Sequence, residues 1–275
     1  MDWNRFDVNK IINNETFFNK LYYGPIVDFG KIFDGERWSN LKRNEKKRQI
    51  NEFFNFMCRR FELEEKSKPK LRFKILSSKS FGYYYNNKVT INRLKLGNGE
   101  EIAATIVHEL AHAYQWRIIT NVHEVSYEHS NYPMAKSEFE KRVERILANP
   151  AHHPVKEWYE DFQKDQNEME FDEYINLRIE VFVFEKEVEY CHYMFGRMTN
   201  SQAEWYVGFK GKHNFGEMIV SDYGNGVLIK KDSELRLIGV ETNEGYKYFV
   251  QYQDGKESEL YASYTDAYNE YVKLK

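Results

Sequence analysis

His108-Glu109-Leu110-Ala111-His112 sits inside an apolar helical pattern carried by Ile102, Ala103, Ile106, Val107, Leu110, Ala113 and Tyr114. Ahead of it, Gly97-Asn98-Gly99 breaks the chain, and Asn98 followed by Glu101 forms a capping-box-like start. The pattern predicts a helix from there to about Ile119. Positions four apart on a helix lie one above the other, so His108 and His112 direct two imidazoles at the same point. Glu109 is offset by one residue and lies beside that point without having to occupy it. Two neutral nitrogens with a carboxylate alongside suit a tetrahedral Zn2+ that keeps one position for water. In this H-E-x-x-H reading His108 and His112 are metal ligands and Glu109 is the general base.

Such an ion needs a third protein ligand. A histidine ten residues after the first is ruled out because Ile118 stands there, and Gln115 replaces the glycine of that pattern. Glu180 is the best candidate. It lies in Ile179-Glu180-Val181-Phe182-Val183-Phe184, the most apolar part of a long helical stretch. An unpaired carboxylate there costs several kcal/mol, and an ion held by two helical histidines would compensate it. His129 is the alternative, reached from His112 by a loop, and His152-His153-Pro154 is a further one. Glu173, Glu185 and Glu187 read as solvated members of an acidic run.

Around this helix the period changes several times. A helix is expected over Trp38–Phe61, with Lys42–Arg48 as a solvated basic face. Leu71, Phe73 and Ile75 alternate with Arg72 and Lys74 as a half-buried strand. Phe81–Tyr85 and Lys88–Asn92 flank Asn86-Asn87, a hairpin turn. Residues 120–165 form a long polar insert, with a helix over Ser137–Ala148. One long helix, or two pieces, follows from Val155 to Phe195 and stops at Gly196. Beyond it Trp205–Phe209, Glu217–Ser221, Val227–Lys230, Leu235–Val240 and Tyr246–Gln253 read as strands. Leu260–Ala262 is expected as a return strand after Asp254-Gly255, and Ser263 with Asp266 as the cap of a final helix. The fold class is therefore α+β, with a catalytic domain over residues 1–199 and a small β-rich α+β module over 200–275.

Composition narrows the setting. A net charge of −3 demands neither a nucleic acid nor a membrane, and no stretch approaches the roughly 20 apolar residues of a membrane span. Two distant cysteines, Cys58 and Cys191, suit buried thiols in a reducing compartment rather than a disulfide framework. The opening Met1–Arg5 lacks the apolar run of a signal peptide, so a cytoplasmic protein is expected.

His108–His112, after a strand hairpin and before a distant helix bearing Glu180, resembles the zincin metallopeptidases. Within them it looks like the gluzincin type, in which a glutamate on a later helix completes the zinc site. The nonapeptide His-Glu-Leu-Ala-His-Ala-Tyr-Gln-Trp116 is also loosely similar to SprT-like proteases, whose third ligand is a histidine in the following loop, the part His129 would take. The resemblance covers roughly residues 40–195 and is specific at the motif. It implies a zincin-like domain, a Zn2+ cofactor and hydrolysis of peptide bonds in a protein or peptide substrate. By the same analogy the Tyr83–Asn92 hairpin offers a sheet edge to that substrate, and Tyr174 is a possible oxyanion donor. Two other readings remain: a non-catalytic metal-binding or interaction protein, and a nucleic-acid-associated protease recruited through the Lys/Arg-rich 42–74 region. The intact Glu109 argues against the first. The acidic 156–189 stretch, which leaves no continuous basic groove, argues against the second.

Overall fold

A computed structural model describes residues 20–63, 68–77, 80–131, 141, 155–162, 164, 169, 173–174, 177–213 and 217–275, for some of these the backbone alone. Contacts divide the chain into two units, Ile32–Tyr190 and a second made of the residues up to Lys31 together with Cys191–Lys275. The described part is mixed α+β, with eight helices and two small sheets.

In the Ile32–Tyr190 unit the helix expected over Trp38–Phe61 is split. A short α2 (Gly35–Ser39) ends, and α3 (Arg43–Arg60) starts afresh, because the Glu45 carboxylate accepts the Lys42 N–H at 2.8 Å and caps the new helix. Trp38, left in α2, stacks on Phe33 with ring centroids 4.8 Å apart and donates its indole N–H to the Leu96 carbonyl at 2.9 Å. Phe33 closes the preceding helix, α1 (Lys20–Phe33). Ile50, Phe53, Phe54 and Met57 of α3 are buried, the inward stripe that the three- and four-residue steps require.

The strand and the hairpin form as expected. β1 (Lys70–Lys74), β2 (Gly82–Tyr84) and β3 (Lys88–Asn92) make one sheet in the order β1-β3-β2. β2 and β3 pair antiparallel through a turn in which Asn86 and Asn87 have φ of 47° and 52°, the left-handed conformation that asparagine tolerates. β1 pairs with β3 in parallel, so the connection to β2 must cross the sheet. Asn92 holds that crossing. Its side chain accepts from Leu76 and Leu94 N–H and donates to the carbonyls of Ser77 and Ser80. Ile75 lies beyond the end of β1 and is exposed.

α4 (Gly99–Asn131) crosses this sheet. The Glu101 N–H donates to Asn98 Oδ1 at 3.2 Å, the cap read from the sequence. A Cβ on Gly82 would come within 2.7 Å of Thr105 Cγ2, so the hairpin approaches α4 more closely than any other residue would allow. Ile102, Ala103, Ile106, Val107, Leu110 and Ala111 are all buried, and β2, β3, α2, α3 and α5 surround the helix. α4 runs to Asn131 instead of ending near Ile119, so the first part of the expected polar insert is helix. The helix expected over 137–148, the Asn149-Pro150 stop and His152-His153 lie outside the described residues, Lys141 excepted. Of the alternatives over 155–195, one helix or two pieces, the described residues show separate pieces that include α5 (Val155–Phe162) and α6 (Arg178–Phe195), the latter stopping at Gly196 with φ of 69°. Ile118, Ile119, Trp158, Leu177 and Ile179 form the core between α4, α5 and α6.

In the second unit, α7 (Asn200–His213) occupies the place expected for a strand over Trp205–Phe209. That run is rich in aromatic and β-branched residues, but a cap overrides it: the Thr199 N–H donates to Gln202 Oε1 at 2.9 Å, and Thr199 Oγ1 accepts from the Gln202 N–H at 3.4 Å. The other four strands are present as β4 (Met218–Ser221), β5 (Gly224–Lys231), β6 (Leu235–Thr242) and β7 (Gly245–Tyr252), an antiparallel meander in chain order. The return strand expected at Leu260–Ala262 is reduced to isolated bridges, Tyr248 with Tyr261 and Gln251 with Glu257. α8 (Tyr264–Leu274) begins where Ser263 Oγ accepts the Asp266 N–H.

Candidate metal centre

The site lies wholly within the Ile32–Tyr190 unit, where α4 faces the first turn of α6. His108, His112 and Glu180 each offer one ligand atom, and these atoms all lie within 4.8 Å of one another. His112 Nε2 is 3.3 Å from Glu180 Oε1, and His108 Nε2 is 3.6 Å from Glu180 Oε2. Two ligands bound to one tetrahedral ion at about 2.0–2.1 Å stand about 3.3 Å apart, so the side chains are spaced to share a metal ion.

The outer nitrogens show which way the rings are set. His108 Nδ1 lies 2.9 Å from Glu187 Oε2, and His112 Nδ1 lies 3.1 Å from Gln115 Oε1. The Gln115 Nε2 donates to the Ile179 carbonyl at 3.1 Å, which leaves its Oε1 as the acceptor. Both Nδ1 atoms therefore carry the proton, and both Nε2 lone pairs turn toward Glu180. Lone pairs facing a carboxylate at this distance need a cation between them. A hydrogen-bonded outer nitrogen and a free inner one is the arrangement expected of metal-binding histidines.

Charge follows from the same contacts. Burial disfavours a charge on His108. The Glu187 hydrogen bond and the carboxylates of Glu109, Glu187 and Glu180 outweigh it and hold the imidazolium up to about 10. Without a metal, a proton is thus the cation that sits in the cluster. Burial would likewise push Glu180 upward, but His112, His108 and the Tyr174 hydroxyl bring it below the usual carboxylate range. Burial raises Glu109, which keeps a proton more readily than an exposed glutamate. Its carboxylate accepts the backbone N–H of Tyr84, so the base is tied to strand β2.

Second-layer contacts fix Glu180 in turn. Asp161 of α5 accepts the Arg178 N–H at 2.7 Å and caps α6 from a neighbouring helix. Glu180 occupies the first turn of that helix, where the unpaired N–H groups and the dipole favour a negative charge. Phe162 meets His112 edge-on, with ring centroids 6.1 Å apart, and closes that side.

His108, Glu109, His112 and Glu180 are brought together as the sequence suggested. Tyr174 also reaches the cluster, but its hydroxyl is bonded to Glu180 and holds a ligand rather than facing an open position. The backbone of His129 lies far along α4 from the cluster. The backbone stays helical from His112 to Asn131, and seventeen residues at about 1.5 Å each place His129 about 25 Å along the axis. Glu187 corrects its reading as a solvated residue: its side chain is 12% exposed and bonded to His108. The seven-residue step from Glu180 was the available signal, since it is two turns on one helix face. In the sequence Gln115 stands out only as the residue in place of a glycine, and nothing there points to Asp161. Among the described residues no helix is long and apolar enough to cross a membrane. No family model, curated protein or solved structure matches this chain.

Proposed function

We propose that this chain is a zinc-dependent peptidase of the gluzincin kind, a zincin-like domain working in the cytosol. The observation that carries the reading is the orientation of the two histidines. Glu187 and Gln115 hold the outer nitrogens, so the inner pair converges with the Glu180 carboxylate. Three such donors with a buried, non-ligating carboxylate beside them suit a catalytic rather than a structural zinc, which needs no base.

When bound, zinc supplies Lewis acidity, making water a nucleophile near neutral pH and polarising a carbonyl. His108, His112 and Glu180 hold the ion. Glu109 takes a proton from the attacking water and returns it to the departing amine nitrogen, a role served by its raised proton affinity. β2 is an edge strand of its sheet. Phe81, Tyr83 and Tyr85 turn their backbone groups toward β3, so Gly82 faces the open side, beside the Tyr84 N–H that holds Glu109. An extended substrate added to that edge comes alongside the base, the β-addition mode of peptide recognition. Tyr174 could donate to an oxyanion only by leaving Glu180. Cys58 and Cys191 are buried and form no disulfide, in keeping with a reducing compartment.

The test is hydrolysis of unfolded casein by the zinc-loaded chain and by Glu109→Gln. The variant is expected to keep its zinc and lose activity by at least about a hundredfold. Undiminished cleavage by Glu109→Gln, or none by the wild type, would sink the proposal.

A further inference from the structure

From Lys68 to Asn98 the chain carries lysines and arginines throughout but no aspartate or glutamate. The fold gathers part of this charge on β1, the edge strand at the far side of the sheet from β2. Lys70, Arg72 and Lys74 are exposed at every second position, while Leu71 and Phe73 turn inward. None of the three forms an ion pair with a described residue, whereas Arg48, Arg117, Lys164 and Arg178 of the same unit each do. Lys70 also stands directly across from Lys88 in the parallel register, on the same face. Like charges set opposite each other in a sheet destabilise it unless an anion lies between or over them.

The backbone of this edge is open as well. The Lys70 N–H donates to the Asn87 carbonyl, and the Lys74 carbonyl accepts from Arg93 N–H. The residues at even positions thus point their peptide groups at β3. Leu71 and Phe73 point theirs outward, where no described residue receives them. Uncovered edges of this kind accept another strand, and the cations along this one state what that strand must carry.

We propose that the open edge of β1 binds an extended acidic polypeptide segment as an added strand, with aspartate or glutamate at every second position opposite Lys70, Arg72 and Lys74. A polypeptide fits better than a nucleic acid, because it alone uses both the charges and the outward N–H and C=O groups at strand pitch. The surface lies across the sheet from Glu109 and is independent of metal. It recruits a partner or a distant part of a substrate rather than positioning the bond to be cut.

The experiment is fluorescence anisotropy with a labelled decapeptide alternating Glu and Val. Three comparisons accompany it: the same residues in two blocks, an alternating Lys and Val decapeptide, and a ten-nucleotide thymidine oligomer. The alternating acidic peptide is expected to bind at about 50 mM salt and to weaken about tenfold at 500 mM, since exposed charges are screened. The block peptide and the oligomer are expected to bind at least about tenfold more weakly, and the lysine peptide not at all. Arg72→Glu should lose most of the binding. Leu71→Pro, which removes an outward N–H at an edge where proline is tolerated and leaves all three cations in place, should do the same. Zinc removal should change nothing, so failure here is separable from failure of the peptidase reading. No binding of the alternating peptide overturns the proposal. Equal binding of the block peptide or the oligomer also overturns it, by showing a surface that reads charge alone.

Discussion

The two units differ in what they bury. Among the described residues of Ile32–Tyr190, the buried polar side chains include Glu101, Glu109, His112, Gln115, Asp161 and Glu180, four of them carboxylates. In the other unit they are Thr199, Gln202 and Gln251, all neutral. Each of the neutral three has a structural task. Thr199 and Gln202 cap α7, and Gln251 bonds Glu257 across the return segment and accepts from Arg236. Sheet β4–β7 is otherwise packed in the usual way, with Ile219, Leu228, Ile238, Val240 and Phe249 as one of its clusters. A buried carboxylate is costly unless a cation or hydrogen bonds compensate it; Asp161 and Glu101 serve helix starts, which leaves Glu109 and Glu180 as the pair that needs a reason other than folding. A metal centre is such a reason.

The largest effect is expected from Glu180→Ala. If the carboxylates of the first unit exist to hold an ion, the variant should lose most of its metal, from about one ion per chain to near none by elemental analysis. The wild type should unfold at a lower temperature after chelation, and the variant should show no such change, because ligand binding to the native state alone raises stability. Full metal occupancy in Glu180→Ala would show that the cluster is an ordinary buried ion-pair network. The two units would then differ only in composition.

The same contrast explains which features the sequence made legible. Helical spacing is a local property, so two histidines four apart could be placed on one face without knowing the fold. The cost of a charge in an apolar run singled out Glu180 for a similar reason. Partners drawn from other elements left no such mark. Asp161 caps α6 from seventeen positions back in the chain, and the Tyr84 N–H reaches Glu109 from the sheet. Glu187 was hidden by its company: Glu185 and Glu189 beside it share the acidic run, and only the turn of the helix separates their faces. Trp205–Phe209 failed for the opposite reason, since strong local β preference yielded to the Thr199 cap and to packing. The parallel register of β1 with β3 was invisible because pairing partners lie far apart in the chain.

A smaller effect sharpens the account of how the site is held. Glu187 bonds His108 at Nδ1, the nitrogen turned away from Glu180, so it acts on a metal through the ring it orients. Glu187→Ala should weaken zinc about 10–100-fold, the usual loss when the outer partner of a histidine ligand is removed. Glu187→Gln keeps an acceptor for the Nδ1 proton and should recover part of that loss. Competition with a chromogenic chelator reads both. Equal affinity for wild type and Glu187→Ala would mean that α4 alone fixes the ring.

The smallest effect belongs to the other unit and serves as the counterpart to these. Thr199→Ala removes the hydroxyl that accepts the Gln202 N–H at the start of α7, a loss worth about 1 kcal/mol for an N-cap. Denaturant unfolding should show that decrease, while zinc affinity and hydrolysis stay at wild-type values. A neutral buried group is thus expected to affect stability alone, whereas Glu187, a less deeply buried carboxylate bonded to His108, is expected to affect the metal. If Thr199→Ala changed zinc affinity as much as Glu187→Ala, the distinction would fail. The metal would then be responding to general loosening of the chain rather than to the carboxylates packed around it.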